Sequence, residues 1–161
     1  MIREVVEVIE KKLDGMGFAY IDVDRGQADS EQPSVKYPAA LVEITGVGKM
    51  LGYVGNSLKL EMGVRVRVLQ MVLGNSSTRA PQEQREAWFG FAQMLENVWQ
   101  ELHYNTPELP ISYKGITIVK RDDGLSEGDV EFTVSVSEMD NRKAERQIQI
   151  EIVKDDGTEK E

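Results

Sequence analysis

Residues 58–68 read LKLEMGVRVRV, and every even position of this stretch carries an apolar side chain. Charged residues or glycine fill the odd positions. Successive side chains of a β-strand point to opposite faces of its sheet, so this alternation indicates a strand with one buried face and one polar face. The stretch therefore predicts a long antiparallel strand at the centre of a sheet.

Shorter patterns on both sides of this strand predict the other elements. Apolar residues at helical spacing indicate an N-terminal helix and a long middle helix, and alternating or continuous apolar runs indicate strands. In chain order, the predicted elements are a helix at 2–13, strands at 18–23, 39–45 and 58–68, a helix down to about residue 103, and strands at 116–121 and 130–136. We therefore predict an α+β fold, in which a mostly antiparallel sheet with a long central strand is packed by the two helices.

Two connecting segments carry further expectations. Residues 25–38, RGQADSEQPSVKYP, combine glycine, serine, two prolines and mixed charge, which predicts a mobile loop with little to bury. Residues 75–78, NSST, favour helix N-caps and precede Pro81, so the middle helix is expected to start there.

The chain is expected to form one domain with a C-terminal extension. Its 161 residues fall within the size range of a single domain, and we assign residues 1–140 to one α+β domain. Isoleucines alternate with polar residues late in the chain, which predicts a C-terminal strand extension over 141–153. The remaining residues, 154–161, have no apolar content and are predicted to form a disordered acidic tail.

Composition and charge exclude several classes of function. The chain has no cysteine, so disulfides, thiolate nucleophiles and Cys-ligated metals are excluded. Its net charge of −9 repels phosphate backbones, so tight nucleic-acid binding is not expected. The N-terminus lacks the apolar core of a signal peptide, and no apolar run approaches the roughly 20 residues of a membrane span. These features predict a cytoplasmic protein with no membrane partner.

The candidate chemical sites are isolated residues and short clusters. His103, the one histidine, has no nucleophile or second ligand in a recognisable relation to it, so we expect a polar residue at a helix end. The acidic residues Asp122, Asp123, Glu127 and Asp129 lack the spacing of a calcium loop and are expected to form a solvated turn.

The glycine-rich run at 46–55 does not have the pattern of a phosphate-binding loop. GVGKMLGYVG lacks the Gly-Lys-Ser/Thr ending of a phosphate-binding loop, and no helical pattern follows it. We therefore predict no catalytic, cofactor-binding or metal-binding residues, and no enzymatic activity.

Contacts with other chains are favoured by apolar segments that an isolated domain leaves exposed. One is a wide hairpin loop or exposed apolar tip near residue 50, and another is the late isoleucine strand, which is suited to pair with the edge of a neighbour's sheet. Two arginines on the long strand lie either on a solvated face or on a face turned toward a lumen or a partner. The candidate interaction residues are Met50, Leu51, Tyr53, Val54, Arg65, Arg67, Ile148, Ile150 and Ile152.

Four segments carry a resemblance to a known family. They are YPAALVEITGV at 37–47, LKLEMGVRVRVLQ at 58–70, FGFAQMLENVWQEL at 89–102 and IVKRDDGLSEGDVEFTVSV at 118–136. In order and character these segments resemble the phage tail-terminator and tail-completion proteins, which include minor tail and head-tail joining proteins. The resemblance covers roughly residues 1 to 140.

The resemblance implies a structural protein of virion assembly. Proteins of this kind form homo-oligomeric rings, commonly hexamers, that cap the tail tube and join it to the head connector. It implies tail-tube and head-connector proteins as partners, and a location in the cytoplasm during assembly and in the virion tail afterwards. The long strand and its glycine-rich loop would then make the ring and tube contacts.

Two other classes of function remain open from the sequence. One is a small α+β enzyme for a small molecule or nucleotide, which would show a deep pocket with several ionisable groups of perturbed pKa. The other is a bacterial adaptor, which would show a groove and a heterologous partner.

Overall fold

The strands form one mixed five-stranded sheet, and two helices pack against it. The computed structural model describes residues 2–30, 34–54, 57–71, 77–119, 121 and 123–139. Its elements are α1 (Ile2–Asp14), β1 (Tyr20–Val23), β2 (Ala39–Val54), β3 (Ser57–Gln70), α2 (Gln82–Tyr104), β4 (Ile111–Val119) and β5 (Ser126–Met139). The predicted order of helices and strands is confirmed.

The sheet has the order β1-β2-β3-β5-β4, so the long strand β3 is its central strand. β1 pairs with β2 in parallel, and all other neighbours pair in antiparallel fashion. The α+β prediction, with a mostly antiparallel sheet, is therefore confirmed.

The even residues of β3 face the apolar core, as the alternation predicts. Met62, Val64, Val66 and Val68 are almost completely buried and belong to the same cluster as the apolar faces of both helices. The residues that the helices bury are Val5, Val6, Ile9 and Leu13 of α1 and Phe91, Leu95, Val98 and Leu102 of α2. Both helices therefore cover one and the same face of the sheet.

The glycine-rich segment after residue 46 is mostly strand, and the expectation of a wide loop is wrong. β2 continues to Val54, and β3 begins at Ser57. The β2–β3 register shifts between Ile44 and Gly46, between Val47 and Lys49, and between Met50 and Gly52. Gly48 and Gly52 have φ values of 133° and 123°, which a residue with a side chain rarely adopts. The glycines thus permit β-bulges in a continuous strand.

The loop at 25–38 buries more than its composition predicts. Residues Gln27–Asp29 form a 3₁₀ turn, and Ala28 and Val35 are buried. Both belong to a second, smaller apolar cluster with Ala39, Leu41 and Leu69. The loop lies over the sheet face opposite the helices, so its few apolar side chains are buried.

α2 starts later than the capping residues predict. The helix begins at Gln82, directly after Pro81, and has no side-chain N-cap. The ring of Pro81 fixes φ near the value that helix entry needs, so the helix begins there without a hydroxyl cap. Ser77 and Thr78 lie in the turn before it, and residues 75 and 76 lie outside the described part of the chain. Residues 141–153 and 154–161 also lie outside it, so their assignments stay predictions.

α2 approaches the sheet closely at Gly128. A Cβ built on this glycine would lie 2.5 Å from Leu95 Cδ1, whereas one built on Gly115 would meet nothing within 4 Å. We expect Gly128→Ala to lower the free energy of unfolding by about 1–3 kcal/mol, because the added methyl group overpacks a closed core. Urea unfolding followed by tryptophan fluorescence measures this, with Gly115→Ala as the control. Equal losses in the two variants would contradict this close packing.

Candidate functional site

The polar face of β3 carries a network of ion pairs centred on Arg67. Arg67 Nη1 donates to Asp24 Oδ2 at 2.7 Å and to Asp29 Oδ2 at 3.0 Å. Arg67 Nε donates to Glu127 Oε1 at 3.0 Å. One guanidinium thus joins β3 to β5 and to the loop that follows β1.

Three members of this network are withdrawn from water, whereas Asp29 is 48% exposed. The side chains of Arg67, Asp24 and Glu127 are 11%, 7% and 5% exposed. Burial disfavours the charged form of Arg67, but its hydrogen bonds to Asp29 and Asp24 outweigh burial, so the pKa of Arg67 is raised. The expectation of a solvated strand face is wrong for Arg67, because the loop at 25–38 covers this end of the face.

Arg121 extends the network along the same end of the sheet. Its guanidinium pairs with Asp29, Asp123 and Glu127. The hydrogen bond from Arg121 lowers the pKa of Asp123 to about 2. The hydrogen bond from Arg67 likewise lowers the pKa of Asp29. The loop that contains Asp29 is therefore held to the sheet by two arginines.

Arg65 forms a second and more exposed group of ion pairs. It pairs with Glu43 on β2, and its Nη1 lies 3.4 Å from Asp129 Oδ2 on β5. Asp129 Oδ1 is buried and has no hydrogen-bond partner within the described chain. Burial is the main reason that the pKa of Asp129 is raised. Asp129 is therefore the least well satisfied carboxylate of this face.

Of the acidic residues near 125, Asp123 lies in an exposed bend, as the sequence predicts, but Glu127 and Asp129 do not. Glu127 and Asp129 belong to β5 and are buried among arginines, and Asp122 lies outside the described residues. No group of three metal-ligating side chains occurs in the described ranges. The carboxylates of Asp123, Glu127 and Asp129 each pair with an arginine.

The predicted apolar tip belongs to a three-stranded arm of the sheet. β1 pairs with β2 only over 39–42, and β4 pairs with β5 only over 127–134, so the sheet narrows to three strands beyond them. We define the three-stranded arm as residues 49–54, 57–61 and 135–139. Met50, Leu51, Tyr53 and Val54 lie in its β2 portion. Ile148, Ile150 and Ile152 lie outside the described residues.

An aromatic group lies where α2 meets β4. The ring of Trp99 is 5.0 Å from that of Tyr113 and 5.5 Å from that of Tyr104. His103 contacts the same group near the end of α2, as expected for a helix-terminal residue. Tyr113 was not predicted to lie in a strand, because Gly115 interrupts the alternation of β4. The strand begins at Ile111 rather than at Ile116.

Comparisons with known proteins do not assign a family. No model of a protein family matches the chain, and no curated protein shows a significant match to it. Within the described residues, neither helix is long and apolar enough to cross a membrane.

Removal of the Arg67 guanidinium should destabilise the fold strongly. Arg67→Met leaves the buried carboxylate of Asp24 without its cation and leaves Glu127 with Arg121 alone, so we expect a loss of about 3–5 kcal/mol in the free energy of unfolding. Arg3→Met is the matched control, because Arg3 forms an exposed pair with Glu7 and should change stability by less than about 0.5 kcal/mol. Urea denaturation measures both, and similar midpoints for the two variants would refute the central role of Arg67.

Asp29 and Asp129 should affect stability with opposite sign. Since the pKa of Asp29 is lowered in the fold, its ionised form stabilises the protein above the ordinary aspartate pKa, and this contribution is lost as pH falls through the lowered value. Since the pKa of Asp129 is raised, its ionised form costs stability above that raised value, and the cost disappears below the ordinary pKa.

We therefore expect Asp29→Asn to lower the free energy of unfolding at pH 7 by about 1 kcal/mol, after allowance for solvent screening. Asp129→Asn should not lower it. Urea midpoints measured from pH 8 to the acid range test both expectations, and both differences from the parent protein should shrink as the pH falls. A loss for Asp129→Asn as large as that for Asp29→Asn would contradict the assignment.

Proposed function

We propose that the chain is a structural subunit of a phage or prophage tail, where a homo-oligomeric ring of it caps the tail tube and joins it to the head connector. The observation that carries this proposal is the sheet with two open flanks. Among the described residues, no strand pairs with the outer side of β4, nor with β2 beyond residue 42. Different edges on opposite flanks suit head-to-tail contacts, and such contacts form a ring when the rotation between copies closes.

The three-stranded arm supports the same assignment. β3 and β5 remain paired from Gln70 and Ser126 to Ser57 and Met139, so the arm is a continuation of the main sheet. Strands of this length are well above the usual 5–6 residues. The arm places the glycine-rich β2 segment at one end of the subunit, where it can reach a ring neighbour or the tail tube.

The charge of the chain fits a ring through which DNA passes. Its net charge is −9, and the arginines on the polar sheet face are paired with carboxylates. A lumen with free cations would hold the phosphate backbone, whereas paired or acidic side chains let it pass. The same pairing commits these ionisable groups to the fold, which favours a structural role over catalysis.

The mass of the protein in solution tests the ring. We expect light scattering behind size exclusion to give a closed oligomer, with a hexamer as the favoured size, whose mass stays constant over a wide concentration range. The assembled protein should also bind a tail-tube protein. A monomer at every concentration that binds no tail-tube protein would overturn the proposal and favour an enzyme or an adaptor.

A pair of matched variants tests the contribution of the arm. Val47, next to the arm, and Ile2, on α1, are similarly exposed, at 41% and 47%. We expect Val47→Glu to weaken the oligomer, because it places a charge beside a subunit contact, and Ile2→Glu to leave the mass unchanged. If both variants keep the parent mass at low concentration, the arm does not take part in the ring contact.

A further inference from the structure

The outer edge of β4 is a template for one more strand. In the described chain β4 pairs only with β5, and from Gly115 to Val119 this pairing runs without a bulge. The side of β4 turned away from β5 therefore presents a regular row of backbone donors and acceptors. Such a row attracts an extended segment, which completes the ladder of hydrogen bonds.

The edges on the opposite flank are less suited to strand addition. β1 has only four residues, and the N–H of Val23 already donates to Asp22 Oδ1 at 2.8 Å. The exposed part of β2 contains three register shifts, which bend and twist its edge. Native sheets use short strands and bulges in this way to prevent edge pairing. β4 lacks this protection over its last five residues.

The two faces of β4 specify the strand that can be added. On the helix side, Ile116 packs against the core, while Ile118 remains 50% exposed and Tyr113 is also exposed. On the other side, Ser112 and Thr117 are exposed to solvent. A strand beside β4 therefore needs apolar side chains toward the helices and polar side chains on its opposite face.

The chain itself contains a segment of this character. Residues 147–153 read QIQIEIV, with Ile148, Ile150 and Ile152 alternating with glutamine and glutamate. This alternation matches the apolar and polar sides of β4. It follows β5 by only a few residues, so each copy carries both an acceptor edge and a segment that fits it.

The position of Met139 favours a second copy as the source of the segment. Met139 pairs with Ser57 at the end of the arm, whereas the regular part of β4 lies beside 127–131 of β5. The near end of this regular part of β4 therefore lies about 27 Å from Met139, measured along β5. The linker 140–146 spans at most about that distance when fully extended. Reaching β4 of the same copy would need a straight, taut linker that also crosses to the far side of β4.

We infer that residues 147–153 of one copy add as a strand to the outer edge of β4 in a second copy. This inference rests on the proposed self-association and names its contact. The donor segment and the acceptor edge are different surfaces, so each copy gives one strand and receives one. A head-to-tail contact of this type generates a closed ring when the rotation between neighbouring copies divides a full turn evenly.

Disulfide trapping in the full-length protein tests this contact, because the chain has no cysteine of its own. Thr117→Cys places a thiol on the polar side of β4. Copies of this variant are mixed with copies that carry Gln147→Cys, Gln149→Cys or Glu151→Cys, and the mixture is oxidised. Opposed residues of paired strands come close enough for a disulfide, so at least one mixture should yield covalent heterodimers.

Two matched controls separate this contact from random collision. Ile150→Cys points to the opposite face of the added strand, and Glu131→Cys lies one strand further from it, at about 10 Å. Ile150→Cys mixed with Thr117→Cys, and Glu131→Cys mixed with the three donor-segment variants, should each give several-fold less heterodimer. Equal yields in tests and controls, or no heterodimer in any mixture, overturn the inference. So does a bond within one chain when Thr117→Cys and Gln149→Cys are combined in the same copy.

The result is distinguishable from the fate of the proposed function. A closed oligomer by light scattering without specific heterodimers supports the ring but overturns this contact. A monomer without heterodimers overturns both the ring and the contact. Specific heterodimers with a mass that grows with concentration retain the strand exchange and overturn the closed ring.

Discussion

The central strand β3 buries one face along most of its length and the other face at Arg67 and Leu69, and the two faces are buried by different means. Toward the helices its even residues enter an apolar core, and toward the loop after β1 its arginines pair with carboxylates. A buried guanidinium is tolerable only when its charge and its donors are matched, and Asp24, Asp29 and Glu127 supply that match. The position of the 25–38 loop, and the small apolar cluster beneath it, follow from this requirement.

The sequence predicts the parts of the fold that local pattern controls. Alternation in 58–68 correctly predicted β3, and helical spacing correctly predicted α1 and most of α2. The partners of Arg67 were beyond such reasoning, because they lie 43, 38 and 60 residues away in the chain. The prediction of a solvated turn is wrong for Glu127 and Asp129 for the same reason, because their pairing with β3 is not visible in the local sequence. Of the candidate interaction residues, the sequence alone could not reveal that the two arginines are committed to internal pairs.

The distribution of covered and open surface is what links this fold to assembly. Helices cover one sheet face, a short loop covers one end of the other, and the flanks are open in the described chain. The protections on the two flanks differ, with bulges on β2 and a regular ladder on β4. This asymmetry gives a subunit two unlike sides, as a ring of identical copies requires.

The ladder between β3 and β5 carries the largest loop-closure cost of this sheet. β2–β3 and β4–β5 are each formed from neighbouring strands, so both hairpins close quickly. Joining them pairs Gln70 with Ser126 across the whole of α2, which costs the loop-closure entropy of that long segment. The ion pairs of Arg65 with Asp129 and of Arg67 with Glu127 cross this same junction. The strand pairing that closes the longest loop of the sheet is therefore the same pairing that these two ion pairs stabilise.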